Sequence, residues 1–156
     1  EKVEQLLELK NFNILKEKQK AEQLSYLCQN AAGFKATVRR SLGGRHTNTV
    51  ITLKQGGKKV VGIYDVSNEG IETVDAGKKR FVKWGEIEPS DLVDLHKYNV
   101  ASNLSDFEKN LRLEQAICFA YLTGETPKAQ NGARTLAETN PVFKTRWKAC
   151  MALLGE

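Results

Sequence analysis

From Val3 to Ala32 the apolar positions Val3, Leu6, Leu7, Ile14, Leu15, Leu24, Leu27, Cys28 and Ala31 recur at close to a helical period. The pattern predicts an N-terminal helix or helix pair. Asn11-Phe12-Asn13 marks a break, with Asn13 able to cap a second helix that runs to about Asn30, and Gly33 supplies a stop. Between Lys16 and Lys20 only charged residues and Gln19 occur, so the stripe does not sustain a coiled coil.

The texture then changes. Thr and Val become frequent, glycines punctuate at short intervals, and no proline occurs before Pro89. This is strand-and-turn chemistry. The predicted strands are Lys35–Arg40, Thr47–Lys54, Lys59–Val66, Gly70–Asp75 and Arg80–Trp84, with turns at Gly43-Gly44, Gln55-Gly56-Gly57, Ser67-Asn68-Glu69 and Ala76-Gly77. Five short strands joined by tight turns predict a small closed or nearly closed barrel.

Helical patterning returns after Trp84. Pro89-Ser90-Asp91 opens a short helix through Leu92, Val93 and Leu95, and Ser105, Asp106 and Glu108 form a capping box for a longer one carrying Leu111, Leu113, Ile117 and Phe119. Gly124 ends it. Thr126-Pro127 and Asn140-Pro141 start two more helices, the last carrying Val142, Phe143, Trp147, Cys150, Leu153 and Leu154. The predicted class is therefore α+β: an N-terminal helix or helix pair, a five-stranded small β-barrel, and a C-terminal antiparallel helical stack.

Charge sharpens this division. Residues 1–34 are neutral overall, residues 35–84 hold eleven Lys or Arg against four Asp or Glu, and residues 85–156 carry a net −2. The positive field belongs to the strand-rich middle, a footprint suited to phosphate or an acidic protein surface. Lysines that merely solvate strands and discourage edge pairing give the same bias. Two basic clusters stand out, Arg39-Arg40 with Arg45, and Lys78-Lys79-Arg80 with Lys83. His46 follows the Gly43-Gly44-Arg45 turn.

Single-stranded nucleic acid also needs exposed aromatics on which bases stack. The middle segment and its edge offer Phe34, Tyr64, Phe81 and Trp84, and Tyr64, Phe81 and Trp84 are expected in the core. Trp84, with Ile87 and Leu92, is expected to pack the strand-rich and helical parts together.

The residues that would carry catalysis are sparse. The two histidines, His46 and His96, lie in segments with no evident reason to meet, and no recognisable hydrolase, zinc-protease or phosphate-loop motif occurs. Cys28, Cys118 and Cys150 lie far apart among apolar helical neighbours without a CxxC pair, so packing roles and a reducing, cytoplasmic setting are expected. The close carboxylates Glu86 with Glu88, and Asp91 with Asp94, read as capping and solvated groups. No enzyme activity, metal or cofactor is expected, and no apolar run of membrane-spanning length is present.

Two resemblances follow from particular residues. Val50-Ile51-Thr52-Leu53-Lys54-Gln55-Gly56-Gly57 with Gly62 is similar to the first signature of Sm-like small barrels, an SH3-like architecture, over about residues 47–87. Asn68 is the candidate for that signature's polar, base-contacting position, although the signature's acidic-apolar lead-in is not preserved. In the second signature Trp84 stands where the family has arginine, as Lys83-Trp84-Gly85, so the resemblance implies the barrel more than its RNA reading. Residues 105–141 resemble one tetratricopeptide-type helix pair through Gly124, Ala129 and Pro141, with Ala133 in place of the family's large aromatic and Leu136 at its last small position.

A barrel, then Trp84-x-x-Ile87-x-Pro89, then helices is also similar to C-terminal regions of some bacterial multidomain proteins. The expected organisation is residues 1–33 helical, 34–88 a basic barrel and 89–156 a tetratricopeptide-like lobe. The chain opens on Glu1 and its only methionine is Met151, which suits a portion of a longer protein. The function expected is a non-catalytic protein-interaction or scaffold module, binding a protein or other domains of its parent chain. The alternative is a nucleic-acid-binding barrel that uses Arg39, Arg40, Arg45, His46, Lys78, Lys79, Arg80 and Lys83. No membrane partner is expected.

Overall fold

The computed structural model describes residues 2–42, 46–95 and 104–154. A 40-residue helix α1 (Lys2–Ser41) comes first, then strands β1 (His46–Leu53), β2 (Gly57–Val66), β3 (Gly70–Asp75) and β4 (Lys78–Lys83). A 3-10 turn at Trp84–Glu86 leads into helices α2 (Pro89–Asp94), α3 (Asp106–Leu122), α4 (Thr126–Thr139) and α5 (Pro141–Leu154). The strands form one antiparallel sheet in the order β1-β2-β3-β4.

The five-stranded barrel expected from the sequence is thus a four-stranded curled sheet, a half-barrel. The expected first strand, residues 35–40, forms the last turns of α1 instead. Phe34, Val38 and Leu42 recur at four-residue spacing and are all buried in the cluster beneath the sheet, with Ile51, Ile63, Ile71, Val82 and Phe119. That packed stripe outweighs the strand preference of Thr37 and Val38. Thr37 turns its hydroxyl back to the Gly33 carbonyl, and also reaches Gln115 Oε1 at 2.9 Å.

Neither expected interruption of α1 forms. The helix runs through Asn11-Phe12-Asn13 and through Gly33. At Gly33 an added Cβ would lie 2.5 Å from the Gln115 amide nitrogen, so the glycine serves the close crossing of α1 and α3 and not a stop.

The free edge of β1 is covered by the segment after β4. The Lys54 and Glu88 amides donate to the carbonyls of Glu86 and Thr52 at 2.9 Å each, Leu53 bridges Ile87, and the Asp91 carboxylate accepts from the Thr52 amide. These bonds satisfy backbone groups that a fifth strand would otherwise take.

The helices after the sheet stack on one another. Ser105 and Glu108 form the expected capping box of α3, and the hydrogen bonds from Ser105 hold the Glu108 carboxyl below the usual range. Ala129, Ala133 and Leu136 of α4 pack with Ile117 and Ala120 of α3 and Phe143 of α5. Trp147 lies partly buried there, edge-on to Tyr121 at 5.7 Å and stacked with Phe143 at 5.8 Å. Among the described residues no helix is long and apolar enough to cross a membrane.

Candidate functional site

Alternation along the strands decides which side chains the sheet offers to solvent. Thr49, Ile51, Leu53, Val61, Ile63, Ile71, Thr73 and Val82 are buried on the concave side. Residues one step out of phase, Val50 of β1, Tyr64 of β2, Glu72 of β3 and Lys79, Phe81 and Lys83 of β4, face outward and are exposed. Tyr64 keeps 38% and Phe81 43% of its surface in water.

The expectation that Tyr64 and Phe81 lie in the core is therefore corrected. Phe34 is the buried ring of that set, at 1% exposed, and Trp84 is half-buried. The reason lies in coverage: the last turns of α1 send Phe34, Val38 and Leu42 into the concave face beside Ile87, Leu92 and Phe119, so the convex face keeps its aromatics in solvent.

Register places these groups together. Glu72 pairs with Phe81 and Val74 with Lys79, while Tyr64 lies on β2 beside the Ile63–Thr73 and Asp65–Glu72 pairs. Tyr64 and Phe81 are thus two strands apart, about 10 Å. Lys79 reaches across β3 and sets its ammonium 4.1 Å from the Tyr64 ring centroid, a cation–π contact.

The two basic clusters meet only in part. Arg39 donates to the side chain of Asn68 in the β2–β3 turn, at the end of the sheet where Gly70 pairs with Lys83. Arg40 follows in the exposed last turn of α1. Lys78 lies at the far end of β4, paired with Asp75. Arg80 lines the concave mouth near Lys59, Thr73 and Asp75. Arg45 lies outside the described residues, as do Gly43, Gly44 and His96, and the His46 side chain does too.

Trp84, Ile87 and Leu92 gather at the seam between sheet and helices. Ile87 is 1% and Leu92 8% exposed, and both share a cluster with residues of α1, the sheet and α3. The indole of Trp84 donates to the Ser67 carbonyl at 3.2 Å, and its ring lines a shallow apolar seam with Phe34, Val38, Leu92 and Phe119.

Three of the four close carboxylates, Glu86, Glu88, Asp91 and Asp94, have structural duties. Glu86 accepts from the Lys83 amide at 2.8 Å, Asp91 holds the β1 edge, and Asp94 pairs with Lys128. Among the described residues no group of three or more His, Cys, Asp or Glu side chains is arranged to hold a metal ion.

A part-buried polar knot, invisible to sequence reasoning, joins α1, α3 and α5. Tyr26 donates to Glu114, Arg146 lies 3.4 Å from the same carboxylate, and Cys150 donates to Gln23 at 2.9 Å. Burial is the main cause that raises the Tyr26 phenol, pushes the Cys118 thiol up to about 12 and raises the Cys150 thiol. Cys28, expected among apolar neighbours, is exposed. At neutral pH one thiol, Cys28, is therefore expected to react quickly with a disulfide reagent, and Cys118 and Cys150 only after denaturant is added. A rapid titration of all three would show that the α1–α3–α5 seam opens in the native state.

Comparison with family models, curated proteins and solved structures finds no match to this chain.

Proposed function

We propose that the chain is a non-catalytic binding module whose ligand is single-stranded nucleic acid, held on the convex face of the sheet. One observation carries this reading: Tyr64 and Phe81 stand exposed on that face, with the Lys79 ammonium over the Tyr64 ring and Lys83 beside Phe81 on β4. Aromatic platforms for bases flanked by cations for phosphates are what sequence-tolerant strand binding requires. Glu72, between the rings, disfavours a phosphate directly above β3, so the backbone of the strand runs along β4. Arg39, Arg40 and Lys83 extend the positive field at one end, and Lys78 at the other.

A short single-stranded RNA tests it. Log affinity is expected to fall linearly with log salt, and Lys79→Ala or Lys83→Ala should each lower the slope by about 0.7. Tyr64→Ala and Phe81→Ala should each weaken binding by about 1–3 kcal/mol at constant slope. Affinity at low salt no better than that of an unrelated protein of equal net charge would sink the proposal, as would aromatic variants that bind like the parent.

The protein-interaction reading retains one specific support, the exposed apolar residues Leu7, Leu9, Phe12, Ile14 and Leu15 on α1. Under it, a partner would be retained equally well by the Tyr64→Ala and Phe81→Ala variants.

A further inference from the structure

Helix α1 leaves the body of the protein before its packed stripe begins. Gln5 and residues 7–19 are all exposed, whereas Leu27, Phe34, Val38 and Leu42 further along are buried. The exposed part carries large apolar side chains, with Leu9 at 59%, Phe12 at 63% and Leu15 at 53%. Three such residues on one helical face are costly to leave in water.

At 100° per residue, Gln5, Glu8, Leu9, Phe12, Leu15, Lys16 and Gln19 share one face of the helix centred on Phe12. Around Phe12 that face is a palindrome in chemistry. Leu9 and Leu15 lie three residues to either side, Glu8 and Lys16 four, and Gln5 and Gln19 seven. Equal residues mirror equal residues, except at the charged position, where a carboxylate mirrors an ammonium.

We propose that this face pairs with the same face of a second copy of the chain, antiparallel, about a two-fold axis at Phe12. A two-fold contact is self-complementary by construction: residue i meets j where j meets i. Phe12 then meets its own copy, Leu9 lies level with Leu15 of the other copy on both sides, and Glu8 lies level with Lys16 twice. The parallel in-register alternative sets Glu8 against Glu8 and Lys16 against Lys16, which repel. Leu7 and Ile14 fall on the opposite side of the helix and take no part.

The contact spans about 22 Å of helix, at the small end of specific interfaces. Dimerisation is therefore a concentration-dependent equilibrium, and the pairing does not need a sustained coiled coil. It is independent of the nucleic-acid reading, because it uses none of the sheet residues.

Sedimentation equilibrium of the whole chain over a wide concentration range tests it. A reversible monomer–dimer equilibrium is expected, and Phe12→Glu should abolish it while leaving the far-UV circular dichroism unchanged, since Phe12 touches no core. Glu8→Lys and Lys16→Glu alone should each weaken the dimer about tenfold or more by setting like charges level. The double variant should recover it, and an equimolar mixture of the two single variants should form a heterodimer tighter than either variant with itself. A monomer at every concentration up to about 1 mM would overturn the proposal. So would a dimer indifferent to Phe12→Glu, or single and double charge variants of equal affinity.

Discussion

Replacing Phe34 by alanine is expected to lower the stability of the fold by about 3–5 kcal/mol. The ring is 1% exposed and stacks at a 30° tilt on Phe119, with centroids 4.7 Å apart. It belongs to the cluster in which α1, all four strands, α2 and α3 meet, so no single element can move in to fill the space it leaves. A domain of this size holds roughly 5–15 kcal/mol in total, and a loss on this scale should lower the melting temperature by roughly 10 °C.

Urea unfolding followed by circular dichroism and by tryptophan fluorescence gives the measurement. The two probes should shift together, because the cluster spans both sheet and helices. Phe107→Ala serves as the control: that ring is 77% exposed and its loss should cost under about 0.5 kcal/mol. A Phe34→Ala variant within about 1 kcal/mol of the parent would mean that the end of α1 does not pack against the sheet.

The same residue shows where sequence patterning stops being informative. The run of Thr and Val through residues 47–54 and 70–75, bounded by glycine turns, marks strands, and in the structure Thr49, Ile51 and Leu53, and Ile71 and Thr73, are buried with period two. Residues 35–40 carry Thr37 and Val38 after a glycine, and their local preference points to a strand. Their helical state is set by Phe34, Val38 and Leu42, whose shared face has meaning only once a sheet exists to cover. Gly33 is misleading in the same way. A glycine that allows Gln115 of α3 to come close looks in one dimension like a glycine that ends a helix.

The candidate site was legible in its charges and hidden in its geometry. Lys79 and Lys83 are evident as part of a basic run, but alternation alone does not say whether Phe81 or its neighbour Val82 faces the core. That choice belongs to the side chains of α1, α2 and α3 that share the cluster on one side of the sheet, where Val82 is buried while Phe81 is exposed. Tyr64 follows the same logic across the register shift between Ile63 and Asp65. Asp91 shows a different limit: its bond to the Thr52 amide joins residues brought together only by the curl of the sheet.

Gly70→Ala is expected to be strongly damaging for the addition of a single methyl, costing about 3 kcal/mol. A Cβ at that position would lie 2.1 Å from the Val82 carbonyl oxygen and 2.9 Å from Lys83 Cα. Both are backbone atoms of β4, and neither can turn aside as a side chain would. They are held by the Gly70–Lys83 and Ile71–Val82 pairs. The turn before Gly70 is fixed as well: the Ser67 amide donates to the Gly70 carbonyl at 2.9 Å, and the Trp84 amide donates to Glu69 at 3.1 Å. To admit the methyl, the start of β3 must part from the end of β4, which draws Trp84 away from Phe34 and Phe119 and opens the seam between sheet and helices. The expected signature is a lowered melting temperature with a red shift of tryptophan emission before the main transition. Gly85→Ala, one residue beyond Trp84 and with nothing within 4 Å of its Cβ position, should leave both unchanged. If Gly70→Ala melts with the parent, β4 does not pair with β3 at this register, and the placement of Lys83 and Phe81 on one outward face falls with it.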